Sequence, residues 1–304
     1  MIKRVGKLPA SNRFAGNIQP GKLDTGALYH CSKCSLKFRY PRPEKEELER
    51  LYRSGSDTNW SDAKENRKDW KVVSEIIQKN CRKGKVLDVG CFDGGFLLSL
   101  DGEYELFGIE VNDGAVARAR SRGIRIVRQD YDGLGEVVEK FDVIVAIDVI
   151  EHVIDPKTFL SNLLSMLAPD GLVVLSTGNA DSASWKFMGS RYWYCANPEH
   201  ISFISPAWCE KTCSKMGAVV GEYACFSYRS KGLTYRILDL LKNTTYKYSP
   251  WIFAASRILG LGKRGVYGDV SLAYYPPTWL SAKDHFAVEI LKDKSRLKSK
   301  RDAV

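Results

Sequence analysis

Between residues 85 and 177, short apolar runs alternate with segments in which apolar side chains recur at helical spacing. The short runs are rich in β-branched residues, as is typical of strands covered on both faces of a parallel sheet. They predict strands at 85–89, 105–110, 124–128, 142–147 and 172–177. The segments between them predict helices at 94–100, 113–121 and 157–167. This alternation predicts an α/β fold with a doubly wound sheet, whose strands end at one ligand-binding edge.

The same pattern extends beyond this region and divides the chain. Further elements are predicted as helices at 44–52, 62–79 and 206–216, and as strands at 218–223 and 285–291. We therefore predict a Rossmann-like sheet of seven strands, mostly parallel with an antiparallel last strand. Two helical pieces at 232–242 and 250–260 interrupt the α/β rhythm and predict a helical cap. The predicted units are a loop-rich N-terminal segment, a core with N-terminal helices, the cap, the last strand and a basic tail, at 1–43, 44–225, 226–281, 282–292 and 293–304.

Composition and charge add constraints to this fold. The 304 residues are 44% hydrophobic and 27% charged, which is ordinary for a globular protein. Met1–Lys7 has no apolar core after its basic residues, so we predict no secretory signal. The eight cysteines lie mostly in apolar runs, which favours reduced thiols and a cytoplasmic location. The net charge of +10 comes without a nucleic-acid-binding motif, so we predict solvated surface lysines and no nucleic-acid partner.

A glycine turn after the first of these strands is the most informative local feature. Gly90, Gly94 and Gly95 allow a tight turn, and the helix that follows would point its free N–H groups at a ligand. Glu110 ends the next strand about 20 residues later, where a carboxylate can bind both hydroxyls of a cofactor ribose. Nicotinamide-dependent oxidoreductases share these two features. Asp88, however, would repel a pyrophosphate and attract a cofactor that carries an ammonium group.

Four features occur together in this region. They are Val-Leu-Asp-Val-Gly-Cys at 86–91, Glu110, Asp130, and Asp-Val-Ile-Glu-His-Val at 148–153. With the turn at 167–172 they resemble class I S-adenosylmethionine-dependent methyltransferases. The branch they resemble includes ubiquinone-biosynthesis O-methyltransferases and methyltransferases of polysaccharide and natural-product gene clusters. The resemblance covers roughly residues 31 to 225, with a weaker match at 282–291.

This resemblance implies S-adenosylmethionine as cofactor and a role for each matching residue. Asp88 and the glycine loop would hold the methionine part, and Glu110 would bind the ribose. Asp130 would meet the adenine, and Asp148 would line the methionine end and the acceptor entrance. Phe92 stands where the family has the middle glycine of its loop, so its side chain must point away from the cofactor or pack beside it. The predicted cofactor-binding residues are Asp88, Gly90, Cys91, Phe92, Gly94, Glu110, Val111, Asp130, Tyr131, Asp148 and Val149.

The chemistry requires alignment of the acceptor with the methyl group, and a base for an acceptor that loses a proton. Histidine titrates in the useful range, and the chain has only four. His152 follows the fourth strand, and His200 lies in the loop where relatives place an acceptor-side histidine. Both are predicted catalytic bases, with a hydrogen-bonding support of the loop as the alternative for each. His285 is predicted to be structural.

Cys31 and Cys34 form a single C-x-x-C knuckle. Similar methyltransferases often carry an N-terminal zinc ribbon with two such knuckles. A structural zinc needs four ligands, and residues 1–30 contain no cysteine. We therefore predict a degenerate, zinc-ribbon-like segment without metal, and no metal site elsewhere.

The predicted function is O-methylation of a small-molecule, sugar or lipid-linked acceptor, with the aromatic loop 185–203 and the cap forming the pocket. One alternative is a non-catalytic relative that binds the cofactor, since Phe92 and the lone knuckle depart from the family pattern. A nicotinamide-dependent oxidoreductase is a less favoured alternative. The apolar segment 251–259 could contact a membrane peripherally, but a helix that covers the site or forms a dimer face is favoured. The oligomeric state is not predicted.

Overall fold

The computed structural model describes residues 1–9, 11–14, 17–23, 25–44, 46–48, 52, 67–228, 232–259 and 273–292. In chain order the strands are β1 Ile2–Lys7, β2 Ser11–Phe14, β3 Asn17–Leu23, β4 Ala27–Cys31, β5 Lys37–Tyr40, β6 Lys83–Val89, β7 Glu103–Ile109, β8 Arg125–Arg128, β9 Phe141–Ile147, β10 Leu167–Gly178, β11 Ser202–Phe203, β12 Val219–Phe226 and β13 His285–Leu291. The α-helices are α1 Lys68–Asn80, α2 Gly95–Leu98, α3 Asp113–Ser121, α4 Pro156–Met166, α5 Ala183–Met188, α6 Pro206–Lys215, α7 Leu233–Tyr248 and α8 Pro250–Ile258.

The central sheet has seven strands in the order β12-β13-β10-β9-β6-β7-β8. Strands β6 to β10 are parallel to one another, and β13 is antiparallel to both of its neighbours. This confirms the predicted Rossmann-like sheet and its antiparallel last strand. The predicted turn before the fifth strand is instead an irregular start of β10, with a register shift between Leu167 and Leu172.

Alternate side chains of the central strands pack on opposite faces of the sheet. Leu87 joins the apolar cluster that includes Leu163 of α4 and Trp208 of α6. Its neighbour Val86 joins the cluster on the other face, which includes Ile77 of α1. Burial on both faces explains why the parallel strands are continuous apolar runs and were readily predicted.

Some predicted helices differ in length from those observed. Helix α2 is a single turn. The hydroxyl and the N–H of Ser99 both donate hydrogen bonds to the Phe96 carbonyl, and this ends the helix. Helix α7 extends to Tyr248, beyond the predicted end at residue 242. The first part of the predicted helix 62–79, part of the helix 44–52, part of the cap and the basic tail 293–304 lie outside the described residues. Among the helices that the structure describes, none combines the length and apolarity needed to cross a bilayer.

The N-terminal segment is not loop-rich, and this prediction was wrong. β1, β4, β5 and β11 form a four-stranded sheet, and β2 pairs with β3. The strands are short and interrupted by glycine and proline, so no apolar alternation marks them. Antiparallel pairing satisfies their backbone groups, and the Tyr29 and Phe38 rings stack across β4 and β5 at 5.9 Å.

Arg39 of β5 fastens this sheet to the central body. Its guanidinium is buried, with 1% of the residue exposed. It donates hydrogen bonds to the backbone carbonyls of Thr25, Cys195, Asn197 and His200. Lys37 adds a bond to the Ala180 carbonyl at 2.6 Å. The N-terminal sheet therefore supports the loop that carries His200.

Candidate cofactor and acceptor site

One cavity of about 750 Å³ lies beyond the carboxyl ends of β6, β7 and β9. This is the edge at which open α/β sheets bind their ligands. It brings together most of the predicted site residues, namely Asp88, Gly90, Cys91, Phe92, Glu110, Val111, Tyr131, Asp148, Val149, His152 and His200. Gly94 and Asp130 do not line it.

The glycine loop between β6 and α2 is shaped by close approach and by left-handed backbone. Gly90 has φ +82°, and a Cβ there would lie 2.5 Å from Cγ2 of Val149. Gly94 has φ +77° and would meet Ile124 at 2.7 Å, so it shapes the turn from outside the cavity. Phe92 has φ 49°, the left-handed conformation that glycine adopts freely. Phe92 thus replaces the family's middle glycine in a left-handed turn, and the Arg118 guanidinium lies 5.4 Å above its ring.

Glu110 holds the loop from the end of β7. Its carboxylate accepts the N–H groups of Phe92 at 2.9 Å and of Val111 and Asn112 at 2.8 Å each. Burial raises its pKa, while these three hydrogen bonds oppose the rise. A carboxylate offers about four lone-pair sites, so Glu110 retains capacity for a hydroxyl donor such as a ribose.

Asp88 is the most buried acid of the cofactor side, with 3% of the residue exposed. Burial, and then the nearby Glu110 carboxylate, raise the pKa of Asp88 to about 7. A cationic ligand would relieve both effects, whereas an anionic pyrophosphate would add to them. The carboxylates of Asp88 and Glu110 therefore fit a cofactor that carries an ammonium group on its amino acid portion.

The side chain of Asp130 bonds to Arg128 and to the backbone, and it does not line the cavity. Its carboxylate pairs with Arg128 and accepts the N–H of Gly133 at 2.9 Å, which caps the turn at 132–136. The neighbouring residues Tyr131 and Asp132 line the cavity instead. The predicted adenine contact of Asp130 therefore has no support in this geometry.

Asp148 occupies a strained position after β9, with φ 53°. Its Oδ2 accepts hydrogen bonds from Arg67 at 3.2 Å and from the Tyr228 hydroxyl at 3.3 Å. Burial, followed by the charge of Glu151, raises the pKa of Asp148 to about 7. Arg67 and Tyr228 were not predicted, because each is about 80 residues away and no local pattern marks it.

His200 has a defined tautomer. Its Nδ1 lies 3.0 Å from the Tyr194 carbonyl oxygen, which can only accept. Nδ1 therefore carries the proton, and Nε2 is free to accept one. Burial, and then the nearby His152, hold the pKa of His200 well below its usual value, so the ring is neutral at pH 7.

His152 and Glu151 lie beside it. The two histidine rings are 4.9 Å apart, and Nδ1 of His152 lies 2.8 Å from the Tyr52 hydroxyl. Burial lowers the pKa of His152. Glu151 is buried, and its Oε1 accepts a hydrogen bond from the Tyr194 hydroxyl. Its Oε2 is also buried and has no partner among the residues described.

His285, predicted to be structural, also lines the cavity. Burial alone lowers its pKa, but the hydrogen bond from Nδ1 to Asp284 at 2.9 Å and the charge of Asp284 raise it above the usual value. Its ring lies 4.5 Å from that of Tyr228. His285 therefore contributes to the cavity wall beside Tyr228.

The donor groups of Glu151, His152 and His200 lie within 4.8 Å of one another. Carboxylate and imidazole groups are common ligands of divalent metal ions. Within the described part of the chain, Cys31 and Cys34 are joined by no third side chain of this kind. The absence of bound metal stays a prediction, which elemental analysis of the purified protein tests.

Comparison with known proteins gives matches in sequence and in fold. The chain matches the family described as a methyltransferase domain over residues 62–220. It is 31% identical over 155 residues to the ubiquinone biosynthesis O-methyltransferase of Azorhizobium caulinodans, a match that covers 46% of this chain and 60% of that protein. The match thus spans less than two thirds of that relative's length.

Two solved structures share the fold. Phosphoethanolamine N-methyltransferase 2 of Haemonchus contortus, solved with S-adenosyl-L-methionine, aligns with a TM-score of 0.51 at 16% identity, covering 85% of this chain and 62% of that chain. A chain of a complex that contains the Haloferax volcanii Trm112 methyltransferase activator aligns with a TM-score of 0.51 at 12% identity, covering 81% and 98%. At these identities the two structures support the fold alone.

Proposed function

Because this chain belongs to the methyltransferase domain family, in the class I S-adenosylmethionine-dependent group, we propose that it methylates a hydroxyl oxygen of a small-molecule, sugar or lipid-linked acceptor. Membership of this family disfavours the nicotinamide-dependent alternative. The observation that carries the proposal is a single cavity in which buried carboxylates adjoin a neutral imidazole. The carboxylates suit a cationic methyl donor, and the imidazole suits an acceptor that must lose a proton.

At the end of the cavity formed by Asp88, Glu110 and Gly90, the cofactor side, the protein binds and orients the cofactor. S-adenosylmethionine, when bound, supplies a methyl group already activated by its sulfonium. Asp88 stabilises the positive charge of the amino acid portion from a buried position, where a charge interaction is strong. Glu110 fixes the loop amides and binds a ribose hydroxyl with its remaining capacity. The left-handed turn at Gly90 brings the backbone close to the ligand.

At the end of the cavity formed by Glu151, His152 and His200, the acceptor side, the protein removes a proton from the acceptor. Nε2 of His200 accepts the proton of the acceptor hydroxyl as the new bond forms. The Tyr194 carbonyl holds the ring in the required tautomer. Oε2 of Glu151 accepts a hydrogen bond from a second polar group of the acceptor, which satisfies a buried oxygen that is otherwise unpaired.

The walls on this side favour a flat or ring-shaped acceptor. Tyr52, Trp193 and Tyr228 line the cavity around the two histidines. Aromatic faces pack against a phenolic ring or against the apolar face of a sugar. Both acceptor classes therefore belong in the test.

The experiment is methyl transfer from labelled S-adenosylmethionine to panels of phenols, nucleotide sugars and lipid-linked sugars. With an acceptor in hand, His200→Gln is expected to lower kcat by roughly 10²- to 10⁴-fold, because it removes the base. Cofactor affinity, measured by calorimetry, is expected to stay within about twofold, since His200 lies on the acceptor side.

His30→Gln, on β4 and outside the cavity, is the matched control and is expected to retain full activity. An unchanged kcat in His200→Gln contradicts the assignment of the base. Binding of cofactor without transfer to any member of the panels favours the non-catalytic alternative.

A further inference from the structure

Helix α7 buries a polar face and exposes an apolar one. Asp239 and Asn243 are buried against the protein, and Asp239 Oδ2 accepts hydrogen bonds from the N–H and hydroxyl of Ser281 at 3.0 and 2.8 Å. On the opposite side Leu233 is 73% exposed and Leu241 is 57% exposed. An ordinary surface helix has the reverse arrangement, so the outer face of α7 is built to meet something other than water.

Helix α8 also exposes apolar side chains. It packs against α7 and turns Phe253 and Ala254 inward. Outward, Trp251 is 66% exposed and Leu259, which follows the helix, is 74% exposed. We call the combined face of the two helices the outer apolar surface. It consists of Leu233, Ile237, Leu240, Leu241, Trp251 and Leu259.

The exposed charges within the two helices are of one sign. Asp239 is the single acidic residue between positions 233 and 258, and it is buried. Arg236 and Lys242 are exposed on the flanks of the apolar stripe. A second copy of the chain, docked through the same face, would bring these cations together. An anionic partner would instead be attracted to them.

Composition favours a lipid surface among anionic partners. Leucine and isoleucine fill the centre, while Tyr248 and Trp251 lie at the junction of the two helices, half or more exposed. Helices that lie in a membrane interface combine such an apolar face with flanking cations and aromatic side chains. We propose that the outer apolar surface docks on an anionic bilayer, with α7 and α8 lying in the headgroup boundary. This proposal does not depend on which acceptor is methylated.

The test is flotation of the full chain with vesicles of phosphatidylcholine, with and without phosphatidylglycerol. Binding to the anionic vesicles is expected at low salt, and it is expected to weaken as salt screens the cations. Brominated lipid is expected to quench the fluorescence of Trp251, and this quenching is expected to be absent in Trp251→Phe.

The double variant Leu241→Glu/Trp251→Glu is expected to lose at least about tenfold in vesicle affinity, because two exposed apolar side chains that would enter the bilayer on docking are replaced by charges. Val138→Glu is the matched control, since Val138 is 86% exposed at a site far from the cap in sequence and is expected to bind like the parent. Both variants are first shown to bind S-adenosylhomocysteine and to melt like the parent, so a folding defect is recognised.

Three outcomes overturn the proposal. One is absence of binding to anionic vesicles at low salt. Another is binding that the double variant leaves unchanged, which would place the contact elsewhere in the chain. The third is a dimer that the double variant converts to a monomer without any vesicle binding by the parent, which would make this surface an interface between copies.

Discussion

Ionisation of Asp88 lowers the stability of the folded protein, and the same charge favours binding of a cationic cofactor. Its carboxyl is buried, and its pKa is raised from 3.8 to about 7. Because the folded-state pKa lies above the unfolded value, the protonated form contributes stability below about pH 4. That contribution is lost as the pH rises through 7. At neutral pH the cofactor-free protein therefore bears a partly ionised, buried acid.

Asp88→Asn removes this cost, because an amide never ionises. We expect the free energy of unfolding of the cofactor-free protein to rise by about 2–4 kcal/mol at pH 8 and to change little at pH 4. Affinity for S-adenosylmethionine is expected to fall tenfold or more. Denaturant titrations at the two pH values and calorimetry measure both effects. Asp101→Asn, at an exposed position, is the control, and equal stabilisation by both variants contradicts the explanation.

The same ionisation makes cofactor binding depend on pH. Asp88 and Asp148 both have a pKa of about 7 in the cofactor-free site. A cationic ligand favours their ionised forms, so binding releases protons. Affinity is therefore expected to rise with pH between about 6 and 8. Calorimetry in buffers of different ionisation enthalpy counts the released protons, and a flat profile with no proton release opposes this assignment.

At the residue scale, sequence motifs predicted most of the residues that line the cavity, while their roles in binding stay predictions. Glu110 was predictable because a carboxylate ends the strand next to the glycine loop. Arg67 and Tyr228, which bond to Asp148, come from segments whose approach depends on the complete fold. Asp130, whose adenine contact stays a prediction, accepts the N–H of Gly133 and does not line the cavity.

Among the elements, the loop after β6 depends on backbone conformation more than on side-chain identity. Gly90 and Phe92 both have positive φ, and a Cβ at Gly90 would meet Val149. The sequence shows a broken glycine motif at this place. The structure shows that the turn keeps the left-handed conformation with one bulkier residue.

Two substitutions separate these contributions. Gly90→Ala is expected to lower cofactor affinity by more than about tenfold, because its Cβ must displace Val149 or move the loop. Phe92→Gly is expected to leave affinity within about threefold and stability within about 1 kcal/mol, because relief of the left-handed strain offsets lost packing and added flexibility. Calorimetry and thermal melting compare the two variants. Similar losses in both would show that the Phe92 side chain itself binds the cofactor.

The elements of the N-terminal sheet were missed for a physical reason. A strand is recognised in sequence by alternation or by a buried apolar run. β5 has four residues and its partner β11 has two, which is too short for either signal. β5 pairs with β4 close by and with β11 across about 160 positions of chain, and the distant pairing leaves no local pattern. The inner strands β9, β10 and β13, by contrast, are almost wholly buried, and their apolar runs predict them.

At the scale of the whole molecule, the N-terminal sheet is bonded to the loop that carries His200, which we call the acceptor loop. Arg39 reaches from β5 to the carbonyls of Cys195, Asn197 and His200. The Asp88 and Glu110 side of the cavity rests on other strands. The two halves of the cavity are therefore supported by separate parts of the fold.

Arg39→Met is expected to lower the free energy of unfolding by about 2–4 kcal/mol, because it leaves several buried carbonyls without donors. It is expected to lower kcat by tenfold or more while cofactor affinity stays within about twofold, since only the acceptor loop loses its support. Urea denaturation, initial rates and calorimetry measure the three quantities. Arg125→Met, at an exposed ion pair, is the control. A parallel loss of cofactor affinity in Arg39→Met would contradict the separation of the two halves.

The pairing of β5 with β11 also bears on how the chain could be divided. A single protease cut between positions 52 and 67 would leave two fragments still joined by the bonds of Arg39. The packing of Leu28 against Phe203 and Trp185 would hold them further. Such a nicked protein should migrate as one particle under native conditions and come apart only in denaturant. Two separately expressed polypeptides should in turn reconstitute one pocket, which a complementation reporter would detect.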